Sequence, residues 1–553
     1  MGSVEKLITD NLPIWSSSIQ SKSSVGRGTS SKRKLYGVKK LRELILDLAV
    51  RGLLVPQDPN DEPASVLIEK IVAEKGHLLK NQKGQSGKCP DNVTFSIPLN
   101  WHSECFGNVY TMEYGKGLNK ADRSNTGEFP VYGSNGIVGS HKEACIFKPC
   151  VVIGRKGSAG ALNLSKSQGC WITDVAYSVV PPGSLNLDFV LIQLETLGLD
   201  KLGKGIKPGL NRNEAYALKL CFPPVAEQYR IVAKVDELMA LCDTLEQQQE
   251  NSIQAHETLI EALLEALTNA ADADAFQASW QRISAHFDVL FTTEHSIGKL
   301  KETILQLAVM GKLVPQDSND EPASMLVKKI TEKRAYLKQQ GLKTRSSGKK
   351  LGGNEIYIAV PNSWEYMRLG DIAKFIDYRG KTPTKTQFGV KLITAKNIKF
   401  GHISKDPEEF ISSDDYSGWM TRGFPEIGDV LFTTEAPLGN VATININEKF
   451  ALAQRAICFQ FHEPLISRFV VYLIMSKKFQ NKLNSSASGM TAKGVKASVL
   501  KEIGIPLPPL AEQCRIITKL DSLMALCDQL TESLQQAQQT QIQLTDAVVE
   551  NAL

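Results

Sequence analysis

Residues 41–71 read LRELILDLAVRGLLVPQDPNDEPASVLIEKI, residues 300–330 read LKETILQLAVMGKLVPQDSNDEPASMLVKKI, and the two lines align without a gap. A second match pairs Ile97-Pro98 and Trp101 with Val360-Pro361 and Trp364, each Trp followed six residues later by a glycine, Gly107 or Gly370. A third pairs PPVAEQYRIVAKVDELMALCDTL, 223–245, with PPLAEQCRIITKLDSLMALCDQL, 508–530. Self-similarity in this order means one structural unit used twice: a helical block, a variable region, then a long helix. Residues 102–222 and 365–507, between the matched ends, share little. A common frame presenting two dissimilar surfaces is the reading this pattern supports, because function resides in sites grafted on a shared scaffold.

The blocks after the variable regions are helical by periodicity. Ile231, Val235, Leu238, Cys242 and Leu245 alternate steps of four and three, and Ile253, Ile260, Leu263, Leu264 and Leu267 resume the seam after the polar stretch 247–252. In the second copy the seam runs Ile516, Leu520, Leu523, Cys527, Leu530, Leu534, Ala537, Gln541, Leu544 and Val548. Both begin after a Pro-Pro pair, which a first helical turn tolerates because its amides lack intrahelical partners. Some 40 residues make a rod on the order of 60 Å, and a rod with one apolar seam needs a partner. The expectation is mutual antiparallel packing as a coiled coil, which makes the repeat pseudo-twofold; packing of each seam on its own half or on a different chain is the competing arrangement. DNA repeats about every 34–36 Å, so two readers on such a spacer could address half-sites about one turn apart.

The variable regions carry strand-like runs, Cys150–Gly154, 171–180, Asp429–Thr433 and 451–461, between Gly-rich turns, so the fold class is α+β, or mixed α/β. Polar and basic groups cluster in their loops. In the first region these are Tyr132, Ser134, Asn135, Arg155, Lys156, Lys201, Lys204, Lys207, Asn211, Arg212 and Asn213. In the second they are Arg379, Lys381, Thr382, Lys396, Asn397, Arg422, Lys493 and Lys496. Asn, Ser and Arg can read base edges, while Lys mainly neutralises phosphates. Any one of these residues suits a solvated surface equally well; their clustering singles out the set. Gly-, Ser- and Lys-rich stretches at 21–34, 81–88 and 341–353 read as linkers, the first also as a possible basic arm.

Composition bounds the rest. The 553 residues exceed what one core usually organises, so about two to four domains are expected. With 42% hydrophobic and 22% charged residues, and no apolar run of roughly 18, the chain reads as soluble and globular, and its start lacks the pattern of a secretory signal. A net charge of +5 permits a nucleic-acid partner without arguing for one. Ten scattered cysteines, with no Cys-x-x-Cys pair, read as thiols of a reducing compartment, the cytoplasm. Catalytic signatures are missing: no Glu-x-Lys occurs, Phe222 and Leu507 precede the Pro-Pro pairs where an amino-methyltransferase loop would carry Asn or Asp, and Gly205 spoils a near phosphate loop at 198–205. No catalytic, cofactor or metal residue is assigned.

The doubled arrangement, with AVRGLLVPQDPNDEPAS and AVMGKLVPQDSNDEPAS before the variable regions and PPVAEQ and PPLAEQ after them, resembles the specificity subunits of Type I restriction–modification systems. It looks most like the branch with an extended N-terminus, here 4–40. The resemblance implies two target-recognition domains, 95–222 and 355–507, each reading one half of a bipartite asymmetric DNA target. Around them it implies an N-terminal helical region at 1–80, a central long helix plus repeated helical block at 223–350, and a C-terminal long helix at 508–553. It implies partners as well: double-stranded DNA, two modification subunits that use S-adenosylmethionine to methylate adenine N6, and restriction subunits that use ATP and Mg. The other readings left open are a coiled-coil scaffold that organises proteins without reading sequence and a self-sufficient DNA-modifying enzyme.

Overall fold

The computed structural model describes all residues except 1, 22–32, 80–89, 91, 92, 94, 125, 204–208, 342–350, 353, 354, 379–382, 454 and 490–492. The stretch 81–88 and most of 21–34 and 341–353 lie outside the described residues. No helix among the described residues is long and apolar enough to cross a membrane. The chain forms two compact units, Met1–Ile253 with Gln536–Leu553, and Gln254–Gln535.

In the first unit the repeated block is a helix, Tyr36–Val50, whose stripe of Leu41, Leu44, Ile45 and Leu48 is buried. It stops at Gly52, which takes φ +74°, while Leu53 donates its amide back to the Leu48 carbonyl at 3.0 Å. This closure satisfies carbonyls that the helix end would otherwise strand, and it needs a left-handed residue. In the second unit the helix Glu294–Val309 ends identically, with Gly311 at φ +69° and Lys312 donating to Leu307 at 2.9 Å. The glycines serve a second purpose. A Cβ on Gly52 would lie 2.6 Å from Pro98 and 3.1 Å from Trp101, and one on Gly311 would lie 2.6 Å from Pro361 and 3.1 Å from Trp364.

The first long helix, Val225–Thr268, and the second, Leu510–Ala552, each span 40-odd residues without interruption. In the first unit Ile231, Val235, Leu238 and Cys242 share a core with Leu41, Leu44 and Leu48 of their own half, and Val548, Val549 and Ala552 from the end of the second helix pack on it. In the second unit Ile516, Leu520 and Cys527 share a core with Ile297, Leu300 and Ile304, together with Ile260, Leu264 and Leu267 from the end of the first helix. Each core thus joins the start of one long helix to the finish of the other, the antiparallel arrangement, with the repeated helical block supplying much of the cover. The expected seam slips over the second helix. Leu544 is 49% exposed, whereas Thr545 is fully buried and its hydroxyl meets that of Ser18 at 2.6 Å. A straight helix drifts off a strict seven-residue stripe, and the neighbour, not the repeat, decides which side is covered.

The repeat extends further than the sequence match shows. The first unit opens with helices Gly2–Asp10 and Leu12–Ser17, broken at Asn11 (φ −107°, ψ 13°). The first long helix is succeeded by a matching pair, helices Ala273–Ala285 and Phe287–Leu290, broken at His286 (φ −124°, ψ 22°). Ile8 and Ile283 are buried before the breaks, Trp15 and Leu290 after them.

Each variable region is built on a four-stranded antiparallel sheet. In the first the order is Glu113–Tyr114, Ala176–Val179, Cys150–Gly154, Leu162–Ser165. In the second it is Ala373–Asp377, Ala456–Phe461, Val430–Thr434, Leu438–Thr443. The central strands are mostly apolar and almost wholly buried because both faces are covered. Val151 and Ile153 belong to one core and Cys150 and Val152 to another, as side chains alternate across a strand; Val430 and Phe432 divide from Leu431 likewise. A second sheet completes each module, three-stranded at 129–172 and four-stranded at 385–452. The runs 171–180 and 451–461, expected as single strands, are each divided. Trp171–Ile172 and Phe450–Leu452 pair in the second sheets, and Ala176–Val179 and Ala456–Phe461 in the first. The Thr173 amide and hydroxyl both donate to the Tyr132 carbonyl, at 3.0 and 2.9 Å, which anchors the chain where it changes sheet.

Candidate nucleic-acid interface

The repeated residues explain how each module is fixed to its long helix. Glu227 and Glu512 stand in the first turn of the long helices and are buried. Glu227 accepts from the Trp101 indole at 3.0 Å and from Gln57 at 2.6 Å; Glu512 accepts from Trp364 at 3.0 Å and Gln316 at 2.5 Å. Burial pushes both carboxyls up, and these donors oppose that shift. Three residues on, Arg230 reaches Asp61 at 2.5 Å and Arg515 reaches Asp320 at 2.6 Å. Gln57, Asp61, Trp101, Glu227 and Arg230, and their repeat counterparts Gln316, Asp320, Trp364, Glu512 and Arg515, therefore form one clamp, used once per half.

The first module gathers most of its candidates at one junction. The loop after strand Cys150–Gly154 carries Arg155 and Lys156. The Arg155 amide donates to the Val175 carbonyl at 2.8 Å, and its carbonyl accepts from Leu210 at 2.9 Å, while Lys156 bridges to Gly209. This brings up the short helix Arg212–Tyr216, capped by Asn211, whose side chain accepts from the Asn213 amide at 3.0 Å. The hairpin at Ser134 closes on the same place: a Cβ on Gly154 would lie 2.4 Å from the Ser134 carbonyl. Tyr114 stands at the centre, half exposed. The Arg155 guanidinium lies 5.0 Å from its ring centroid and that of Arg212 4.8 Å, with the Tyr177 ring 5.0 Å away. Burial, with the Tyr114 hydroxyl next in effect, holds the Tyr177 phenol at about 12. Among the described residues neither guanidinium has a carboxylate partner, and the Arg155 Nε is buried without a hydrogen bond. Two uncompensated guanidiniums on an aromatic platform suit a phosphate or a base edge.

The other candidates divide. Asn135, Lys156, Lys201 and Asn213 are exposed. Tyr132 is buried, its hydroxyl 3.4 Å from the Leu164 carbonyl, and supports the hairpin instead of being presented. Lys204, Lys207, Arg379, Lys381 and Thr382 lie outside the described residues. In the second module Lys396 is exposed, but Asn397 is buried. Its oxygen accepts from the Thr394 amide at 3.0 Å and its nitrogen donates to Pro407 at 2.9 Å, so it is occupied in holding a loop. The guanidinium of Arg422 donates to the Asp377 carbonyl and lies 5.9 Å from the Tyr378 ring, which stacks on Trp419 at 6.0 Å. Exposed Lys493 and Lys496 flank Gly494. A search for basic and amide groups passes over Tyr114; the signal available was an aromatic in the Gly- and Lys-containing run 113–117.

Two modules of one topology, each clamped to a long helix and each presenting polar loops at an equivalent place, define a two-module DNA-recognition protein. A family model described as the Type I restriction modification DNA specificity domain matches twice, at residues 98–255 and 361–539. The chain is 34% identical over 601 residues to the Type I restriction enzyme EcoAI specificity subunit of Escherichia coli, and 34% identical over 603 residues to the EcoEI specificity subunit of the same species, covering 100% of both chains in each case. It is also similar to the solved HsdS subunit from Thermoanaerobacter tengcongensis, at 16% identity, covering 83% of this chain and 98% of that one with a TM-score of 0.35. The chain belongs to the specificity subunits of Type I restriction enzymes. Its role is DNA recognition within a restriction–modification complex, and it is a noncatalytic part of that complex.

Proposed function

We propose that the first module reads one half and the second module the other half of a bipartite, asymmetric DNA target. The observation that carries this is the equivalent junction in the two modules, which has the same backbone contacts but different side chains. In the first the Arg155 amide donates to Val175; in the second the Thr434 amide donates to Arg455 at 3.0 Å. Lys156 bridges to Gly209 where Glu435 bridges to Gly494. One frame with two chemistries supports two unlike half-sites.

The reading places S-adenosylmethionine with two modification subunits that methylate adenine N6, and ATP and Mg with restriction subunits, all in the cytoplasm. A base inside a duplex must be flipped out to be methylated, so a subunit that grips the sequence on either side of the modification subunit is what such chemistry requires. The long helices would set the gap between the halves. Methylome sequencing of cells carrying the complete system tests the whole reading. The expected motif has two unlike halves separated by a fixed unspecified gap; a continuous motif, or none that depends on this chain, would contradict it.

A further inference from the structure

We infer that Glu435, positioned by Arg455, reads a cytosine in the half-site of the second module; this rests on the functional reading above. Neither residue belongs to the basic and amide set that the sequence singles out. Glu435 follows the central strand Val430–Thr434 at the place where Lys156 follows its counterpart, bridging to Gly494 as Lys156 bridges to Gly209. Its carboxylate accepts from the Arg455 Nε at 2.8 Å, with both side chains substantially exposed (40% and 49%). A Cβ on Gly494 would lie 3.3 Å from Glu435 Oε2, so the acid is seated against that glycine, between exposed Lys493 and Lys496 in sequence.

The backbone is strained at this point. Ala436, next to Glu435, has φ +41° and Arg455 has φ +72°, and among the described residues these are the non-glycine residues with positive φ. Such conformations are costly for residues with a Cβ and concentrate at functional sites. The ion pair does not account for the strain, because an exposed, solvent-screened pair adds little to stability. Nor does general DNA affinity account for the acid, since a carboxylate near phosphates opposes binding to any sequence. What a carboxylate contributes on a DNA-facing loop is an acceptor for an exocyclic amino group, and cytosine N4 in the major groove is the donor it matches. Arg455 is the positioning residue: its Nε holds the carboxylate in place.

The test is selection from a pool of randomised duplexes, at one salt concentration, by the full chain with its modification subunits. With Glu435→Gln, discrimination at one cytosine of one half-site is expected to fall about tenfold, the other half-site and the gap staying unchanged. Glu435→Ala is expected to relax the same position, and thermal unfolding of both variants to match the parent. An unchanged motif in both variants, an equal loss of affinity for every sequence, or unfolding of the second module would each overturn the proposal in favour of a purely structural pair. A parent chain that selects no bipartite motif would instead overturn the functional reading beneath it.

Discussion

The indole of Trp101 donates a hydrogen bond of 3.0 Å to the buried carboxylate of Glu227, and this contact joins the start of the first variable module to the first turn of the first long helix. Trp364 and Glu512 repeat it in the second unit. Removing the donor while keeping the ring isolates the bond. Trp101→Phe is expected to destabilise the first unit by about 1–3 kcal/mol, the cost of stranding a buried acceptor, with the Gln57 contact remaining. Hydrogen exchange over residues 95–110 and 225–235 reads this locally, and unaltered protection there would show that the bond does not hold the module.

Replacing the helix-ending glycines should be worse than a surface change. Gly52→Ala and Gly311→Ala each place a methyl group about where proline carbons lie 2.6 Å away, on a left-handed backbone. A loss of more than about 1 kcal/mol is expected for each, measured by denaturant unfolding followed with the tryptophan signal. Neutral behaviour would mean that the helix ends are free to rearrange.

The ion pair between Asp320 and Arg515 carries a pH signature. The Arg515 guanidinium, chiefly through its hydrogen bond, holds the Asp320 carboxyl below its ordinary value of 3.8. A depressed folded value stabilises at all pH above the unfolded value, and that contribution is lost as pH falls through the folded one. Asp320→Asn should therefore be less stable than the parent at neutral pH, with the difference shrinking below about pH 4. Thermal melts of both proteins across this range decide it; a difference that persists in acid would assign the effect to something other than the charge.

At the junction of Arg155 and Arg212 in the first module, which we propose meets DNA, Arg155→Ala and Arg212→Ala are each expected to reduce the slope of log affinity against log salt by about 1, as loss of one phosphate contact would. Tyr114→Leu removes the platform on which both rest and is expected to weaken binding about tenfold. Fluorescence anisotropy with a duplex carrying the selected target measures all three, and salt slopes equal to the parent's would remove these arginines from the phosphate contacts.

The helices can be tested as a ruler. Inserting about seven residues, roughly two turns, between Glu246 and Asn251 should lengthen the preferred gap and leave both half-sites as they were. Methylome sequencing with the altered chain reads both quantities together. A changed half-site with the original gap would reverse the assigned roles.

Repetition and local chemistry were enough to establish the helical blocks, the Pro-Pro starts of the long helices and the buried central strands, because each depends on spacing within a few turns or one strand. The family resemblance was legible for the same reason: VPQD, the Trp and the AEQ elements are linear signals, even though their joint purpose as a clamp was not. What the tertiary structure decided involves partners distant along the chain. Only folding brings Tyr114 to Arg155 and Arg212, spends Asn397 on its own loop, divides 171–180 and 451–461 between two sheets, and turns Thr545 instead of Leu544 toward Ser18. Periodicity records that a helix has an apolar side, but which neighbour covers that side, and where a loop side chain finds its partner, is settled by packing between segments that no local pattern links.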